Sequence, residues 1–368
     1  LRIEMRVLIA AGGTGGHIYP GIAVAQEIMR RDPSSKVRFV GTARGLETRL
    51  VPQAGFDLSL IDSAGLKNVR LVARMRSLSV LPKSFASAWR VMRQFKPDVV
   101  VGAGGYVSGP VVLMAALTNR PTLVMESNAL PGLTNRVLAR FVDRAAVSFE
   151  QALPFFRGKG VVTGNPVRRE FFEIPAKRRD GEKFSLLVFG GSQGARPINE
   201  GMMAALPHLK GVAVVLRIKH QTGAEDIERV KAAYLSEGWG ERADVASYID
   251  NMVGDFAAAD LVICRAGATT TAELIAAGKA SIMIPFPLAA DDHQRKNAEA
   301  LQAAGASRMI LQEYLSGKRL AKEISDLAQA PEEVYRMEQA SRHLAHGDAA
   351  KSAVSLIEGL ATSGKRFE

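Results

Sequence analysis

The chain has 368 residues, 47% hydrophobic and 23% charged, the composition of a soluble globular protein with room for two domains of ordinary size. A net charge of +11 favours an acidic partner: nucleic acid, an anionic membrane surface or a phosphorylated substrate. The single cysteine, Cys264, excludes an internal disulfide and a cysteine-built metal cluster, and it fits a reducing compartment.

Leu1 to Glu4 precede Met5 and read as an upstream extension; no signal-peptide pattern follows, and no apolar run approaches the roughly 18 residues of a spanning helix. Val7-Leu8-Ile9-Ala10 has the length and branching of a buried parallel strand. It breaks into Gly12, Gly13, Gly15 and Gly16 around Thr14, and after His17 and Pro20 a helical pattern begins. Such a turn reads in two ways, as a tight βα connection needing positive φ or as a backbone cradle for an anion at a helix N-terminus. Further strands are expected near 36–40, 57–61, 98–101, 121–125 and 144–148, alternating with helices or loops, which reads as βαβ units of a parallel sheet. A second glycine turn, Gly102 to Gly105, follows Val99-Val100-Val101, and a third, Gly190-Gly191-Ser192-Gln193-Gly194, follows Leu186 to Phe189. In open α/β sheets ligands bind at the carboxyl ends of strands, where all three turns fall.

The first and third turns share one pattern, strand, double Gly, hydroxyl residue, Gly, helix, so the chain reads as two similar α/β halves. Thr163-Gly164-Asn165-Pro166 stops a short strand, and the charged segment to Lys183 has the character of a linker. In the second half strands are expected near 184–189, 212–218, 243–246, 260–264, 280–284 and 307–310, with closing helices at 331–345 and 349–362.

None of the turns matches G-x-G-x-x-G or the P-loop, which counts against a nicotinamide-dependent reductase. After Leu261-Val262-Ile263, Cys264 to Glu273 turns at Gly267 and supplies hydroxyls for a helix start. Glu273 either favours the positive end of that helix dipole or accepts both hydroxyls of a ribose. Gln294 and Asn297 stand at i and i+3, one helix face, suited to sugar hydroxyls. No Asp-x-Asp occurs, so the usual metal–diphosphate ligand pattern is missing. Arg168, just past Asn165-Pro166, is either a phosphate contact or a solvated surface residue. His17 is the best-placed general base, or else a structural hydrogen-bonder beside a glycine loop.

From Ser63 to Pro97 there is no acidic residue, whereas Lys67, Arg70, Arg74, Arg76, Lys83, Arg90, Arg93 and Lys96 are present among Leu71, Met75, Leu78, Leu81, Phe85 and Trp89. That mixture suits a segment lying on an anionic bilayer; the alternatives are a helix packed on the sheet with basic outer residues, or nucleic-acid contact, for which no aromatic platform is visible.

The three turns, Thr163 to Arg168, Glu126-Ser127-Asn128 with Gly132 to Asn135, Gly267 to Glu273, and His293-Gln294 to Asn297 occur in an order that resembles the bacterial peptidoglycan glycosyltransferases converting lipid I to lipid II, in glycosyltransferase family 28. The resemblance spans nearly the whole chain. It implies an α/β fold of GT-B type, two Rossmann-like parallel-sheet domains facing a cleft. Residues 5–164 plus 346–368 would form an acceptor and membrane-side domain with a returning C-terminal helix, and 165–345 a UDP-GlcNAc-binding domain. The implied reaction is an inverting, metal-independent transfer of GlcNAc from UDP-GlcNAc to the C4 hydroxyl of the MurNAc-pentapeptide of lipid I, with no cofactor. The enzyme would sit peripherally on the cytoplasmic face of the bacterial inner membrane. The implied partners are both substrates, the anionic membrane surface and cell-wall and division proteins, without nucleic acid. By residue, Ile249 resembles the backbone contact to uracil and Glu273 the ribose ligand. Ser192 with Ala268, Thr269, Thr270, Thr271 and Ala272 resembles the diphosphate site, with Arg168 nearby. Gln294 and Asn297 resemble the GlcNAc contacts, and Thr14, Gly15, Gly16 and Asn128 those of the first domain, with His17 the base. The family often carries Gln where His293 stands, so that position receives no contact. The same-fold rival is a UDP-sugar epimerase or a transferase with another acceptor; the non-enzyme rival is a membrane scaffold that binds a nucleotide sugar.

Overall fold

The structure, a computed structural model, describes the chain apart from residues 1–4, 14, 44, 62–70, 178–182, 192, 213–214, 290–291, 346–347 and 365–368; side chains at 71–81 are likewise outside the description. Thr14, Ser192 and Arg70 therefore lie outside the described residues, as do the side chains of Leu71, Arg74, Met75, Arg76, Leu78 and Leu81. Two compact units result, Leu1–Val167 with His346–Glu368, and Arg168–Ala345, so the first joint falls at 167/168 and not at the expected 164/165.

In the first unit β1 (Arg6–Ala11), β2 (Lys36–Gly41), β3 (Asp57–Leu60), β4 (Val99–Gly104), β5 (Thr122–Glu126), β6 (Arg144–Val147) and β7 (Gly160–Val162) form one sheet in the order β3-β2-β1-β4-β5-β6-β7. Each pairing is parallel. Between the strands run α1 (Gly15–Arg31), α2 (Glu47–Gln53), α3 (Leu71–Phe95), α4 (Ser108–Leu117) and α5 (Leu133–Leu138). Leu8, Ala10, Val100 and Val124 point to a core completed by Ala88, Met92, Val111, Val112 and Leu138. Val7, Ile9, Val101 and Leu123 point to the opposite core with Ile18, Val24 and Ile28. Burial on both faces is why these strands read as continuous apolar runs.

The β4 strand extends past the expected 98–101, because pairing with β1 continues through Ala10↔Gly102 and, after a register shift, Ala11↔Gly104. The second glycine turn is therefore the end of a strand. A side chain at Gly102 has no room, since Val112 lies 2.8 Å from where a Cβ would stand. Strand order reverses between β1 and β4, and the carboxyl ends of these two strands meet at that switch point.

In the second unit β8 (Phe184–Phe189), β9 (Leu216–Gln221), β10 (Ala243–Ala246), β11 (Leu261–Cys264), β12 (Ala280–Met283) and β13 (Ser307–Met309) are again parallel, in the order β10-β9-β8-β11-β12-β13. The helices are α6 (Arg196–Ala205), α7 (Ile227–Ser236), α8 (Met252–Ala258), α9 (Ala268–Ala277), α10 (His293–Ala303), α11 (Gly317–Ala328) and α12 (Pro331–His343). Leu186, Val188, Ile263 and Ile282 meet Ile198, Leu320, Ile324 and Trp239 on one face. Near the end of β8, Phe256 packs edge-on to Phe171 at 5.1 Å and against Phe189 at 6.0 Å.

The expected strand at 212–218 is corrected. Leu206–Val212 is a 3-10 helix, and the strand runs to Gln221. Its polar end is stable because each group is paired: Lys219 with Asp244, His220 with Asn199 and Tyr234, Gln221 with Gly191 and Ile249. Apolar patterning cannot see such pairing.

After α12 the chain returns to the first unit as α13 (Ala349–Gly364), which buries Ala353, Val354 and Ile357 in the core that α1 faces. Arg31 of α1 donates to Glu358 at 2.6 Å and to the Lys351 carbonyl at 2.7 Å. Among the described residues no helix is long and apolar enough to cross a membrane.

Candidate active site

In the first unit the site grows from the ends of β1 and β4. His17 stands in the first turn of α1, half-buried, with Nδ1 at 3.3 Å from the Gly12 carbonyl. Its ring lies against Gly104, where a Cβ would collide with it, and a Cβ at Gly105 would collide with the Gly12 carbonyl. Both glycines have positive φ, +117° and +82°, so side chains are excluded on two grounds. The buried Ser108 hydroxyl accepts from the Gly104 N–H at 3.0 Å and lies 2.9 Å from the Ala10 carbonyl, tying β4 to β1. Gly15 and Gly16 open α1 beside the exposed Tyr19.

The first turn already carries an anion. The fully buried Glu47 accepts from the Gly13 N–H at 3.0 Å, the Thr42 N–H at 2.8 Å and the Thr42 hydroxyl at 2.9 Å. Burial pushes its carboxyl up, but the hydrogen bonds from Thr42, Gly13 and its own N–H outweigh that and hold it below the usual range. A second buried carboxylate, Glu126 at the end of β5, accepts from the Asn128 N–H (2.9 Å) and Nδ2 (3.1 Å), the Gly132 N–H (3.0 Å) and Asn135 Nδ2 (2.9 Å). Asn128 is thus fixed at a strand end of the same sheet as His17, with β4 between their strands.

In the second unit the turns after β8 and β9 clasp each other. Gly194 (φ +75°) presses on the Thr222 carbonyl, and Gly223 on the Gln193 carbonyl. Gln221 donates to the Gly191 carbonyl at 2.7 Å and accepts from the Ile249 N–H at 2.7 Å, so that N–H is engaged inside the fold. Behind the turn, Asn199 donates to the Thr222 carbonyl (3.0 Å) and to Asp226 (2.8 Å). Burial pushes His220 down to about 3, so it stays a neutral member of this network.

At the end of β11, Gly267 caps α9, and the first helix-closing bond runs from the Thr271 N–H to Gly267 at 2.9 Å. The amides at 269 and 270 therefore belong to the positive helix end. Thr269 and Thr270 are half-exposed, but Thr271 is buried and turns its hydroxyl onto the Ala268 carbonyl at 2.9 Å; Ala272 is buried too. Glu273 is half-buried, and burial raises its carboxyl to about 7 although the Arg168 guanidinium opposes the shift. Arg168 is exposed and stacks on Phe171 at 5.0 Å. On α10, Gln294 accepts from the Phe286 N–H at 3.0 Å, whereas Asn297 is fully buried and donates to the Ala266 carbonyl at 3.1 Å. The two share a helix, but Asn297 braces the loop that leads into α9.

On α3, Ser84, Ala88, Met92 and Phe95 face inward, while Lys83 and Trp89 are exposed, Phe85 is half-buried, and Arg93 stacks on Trp89 at 4.8 Å. Sequence reading missed a second apolar group, exposed Leu133, Val137 and Phe141 with exposed Arg140 and Arg144. It also missed Glu47 and Gln221, whose contacts with the glycine turns span 34 and 30 residues and leave no local pattern.

The chain matches the glycosyltransferase family 28 N-terminal domain over residues 7–147 and the C-terminal domain of that family over 185–355. It is 48% identical over 357 residues to the UDP-N-acetylglucosamine–N-acetylmuramyl-(pentapeptide) pyrophosphoryl-undecaprenol N-acetylglucosamine transferase of Citrifermentans bemidjiense, covering 96% of this chain and 99% of the relative. The crystal structure of Acinetobacter baumannii MurG superimposes with a TM-score of 0.80 at 31% identity, covering 96% of this chain and 99% of that one. The UDP-GlcNAc 2-epimerase of Neisseria meningitidis reaches 0.69 at 14% identity over 96% of this chain and 100% of that one, a likeness of fold alone.

Proposed function

The chain belongs to glycosyltransferase family 28, and from that premise we infer that it moves GlcNAc from UDP-GlcNAc to the C4 hydroxyl of the MurNAc-pentapeptide of lipid I, forming lipid II for peptidoglycan synthesis. The observation that carries the donor side is the grouping of the α9 start, Glu273 and Arg168 in one unit. The acceptor oxygen attacks C1 of GlcNAc opposite the UDP, the C1–O bond to UDP breaks, and inversion follows. Negative charge grows on the departing diphosphate, and the positive end of α9 with Arg168 offsets it without a metal. His17 takes the proton released by the attacking hydroxyl. Glu273 accepts from the ribose hydroxyls, Ser192, Thr269 and Thr270 line the diphosphate, Ile249 meets the uracil through its backbone carbonyl, its N–H being held by Gln221, and Gln294 meets the GlcNAc. Thr271, Ala272 and Asn297 shape this surface from inside. Thr14, Gly15, Gly16 and Asn128 serve the acceptor side, which makes the unit ending at Val167 and completed by His346–Glu368 the acceptor domain and Arg168–Ala345 the donor domain.

The protein works peripherally on the cytoplasmic face of the cell membrane, with the basic, apolar surface of α3 against anionic lipid and division or cell-wall proteins as neighbours. Exposed Leu133, Val137 and Phe141 extend that surface, since α3 packs on α4 and α4 on α5. Labelled UDP-GlcNAc and a lipid I analogue test the reaction. Transfer should continue in EDTA, and His17→Ala should spare donor binding while lowering kcat by roughly 100-fold. Transfer abolished by EDTA overturns the metal-free reading, and undiminished turnover removes His17 as the base.

A further inference from the structure

One peptide plane joins Glu47 to His17. The Gly13 N–H, which Glu47 accepts at 3.0 Å, and the Gly12 carbonyl, which lies 3.3 Å from His17 Nδ1, are the two ends of the same peptide group. We propose that Glu47 is a positioning residue for the transfer reaction, holding this peptide so that its carbonyl orients the His17 imidazole and fixes Nδ1–H, which leaves Nε2 as the proton acceptor. The inference rests on the role proposed for His17.

A carbonyl only accepts, so the contact requires the proton on Nδ1. An imidazole in water has no such constraint, and the partner of one ring nitrogen decides which nitrogen carries the proton. Planarity makes the relay stiff, because a peptide cannot turn its N–H without turning its carbonyl. Glu47 is itself held on both sides, by Thr42 at the end of β2 and by the Gly13 amide after β1. The surrounding glycines make the room it occupies: a Cβ at Gly41 or at Gly45 would overlap the Glu47 side chain, and one at Gly12 would stand 3.0 Å from its carboxylate. From the other side Gly105 packs on the Gly12 carbonyl and Gly104 on the imidazole. The carboxylate also occupies the seat on the Gly13 amide that an anionic substrate would need, so this amide acts on the protein's own side chain. Accepting from Gly13 polarises the peptide and strengthens its carbonyl as an acceptor.

The test is nitrogen NMR of His17, labelled with ¹⁵N, in the full-length ligand-free protein, combined with steady-state kinetics. In the wild type the neutral ring should be mainly the Nδ1–H tautomer. Glu47→Gln keeps the volume but removes the charge and one acceptor, and should move the ring toward the Nε2–H tautomer. It should lower kcat by roughly tenfold while KM for UDP-GlcNAc stays within about twofold. A wild-type ring found mainly as Nε2–H overturns the proposal and needs no variant to fold. So does a folded Glu47→Gln protein with an unchanged tautomer and unchanged kcat. If the wild type transfers no GlcNAc, the functional reading fails, yet the tautomer measurements still decide whether Glu47 orients His17.

Discussion

Individual residues divide by how local their partners are. His17 could be read from sequence because its glycines adjoin it, whereas Glu47 and Gln221 act on turns 34 and 30 residues away in the chain. Glu273 was legible as a carboxylate at a helix start, but its environment was not. Burial pushes its carboxyl up to about 7 from an ordinary value of 4.5. The neutral acid therefore contributes stability that is full below 4.5 and is lost as pH rises through 7. Glu273→Gln removes this penalty, so the ligand-free variant should melt several degrees above the wild type at pH 8 and show little difference at pH 4.5. The same change should weaken UDP-GlcNAc binding roughly tenfold, because an amide oxygen cannot serve both ribose hydroxyls as a carboxylate does. Wild-type affinity should fall as pH drops below about 7 and the variant's should stay flat. Calorimetric titration across pH decides it: equal pH dependence in both proteins removes Glu273 from the donor site.

At the level of elements, strands covered on both faces announced themselves as apolar runs, while β9 misled because its outer half is polar and internally paired. Helix α3 joins two signals in one element. Its inward residues Ala88, Met92 and Phe95 hold it to the sheet, and its outer residues carry the charge. Reversing Arg70, Arg74, Arg76 and Lys83 to Glu should leave the melting curve nearly unchanged. It should cut binding to anionic vesicles by more than tenfold at low salt, since each cation near such a surface contributes about 1 kcal/mol. Vesicle sedimentation showing undiminished binding would return α3 to an ordinary amphipathic helix with a solvated basic face.

On the scale of the whole molecule, the returning helix completes the first unit. Val354 and Ile357 of α13 are fully buried, each contributing roughly 1.5–3 kcal/mol, and Ala353 adds to them. Deleting residues 349–364 should accordingly release hydrogen-exchange protection in β1 and α1 while β8 and β11 keep theirs; equal loss in both units, or in neither, contradicts a unit-specific role. The sequence alone determined two parallel-sheet halves, a family and the positions of three glycine turns, because strand burial, turn chemistry and motif order are written in neighbouring residues. Only the tertiary structure decided that the Gly13 amide holds Glu47, that Ile249 donates to Gln221 and that Asn297 works from within. Those outcomes depend on which distant polar groups meet when water is excluded, and a buried donor takes whichever acceptor the fold delivers to it.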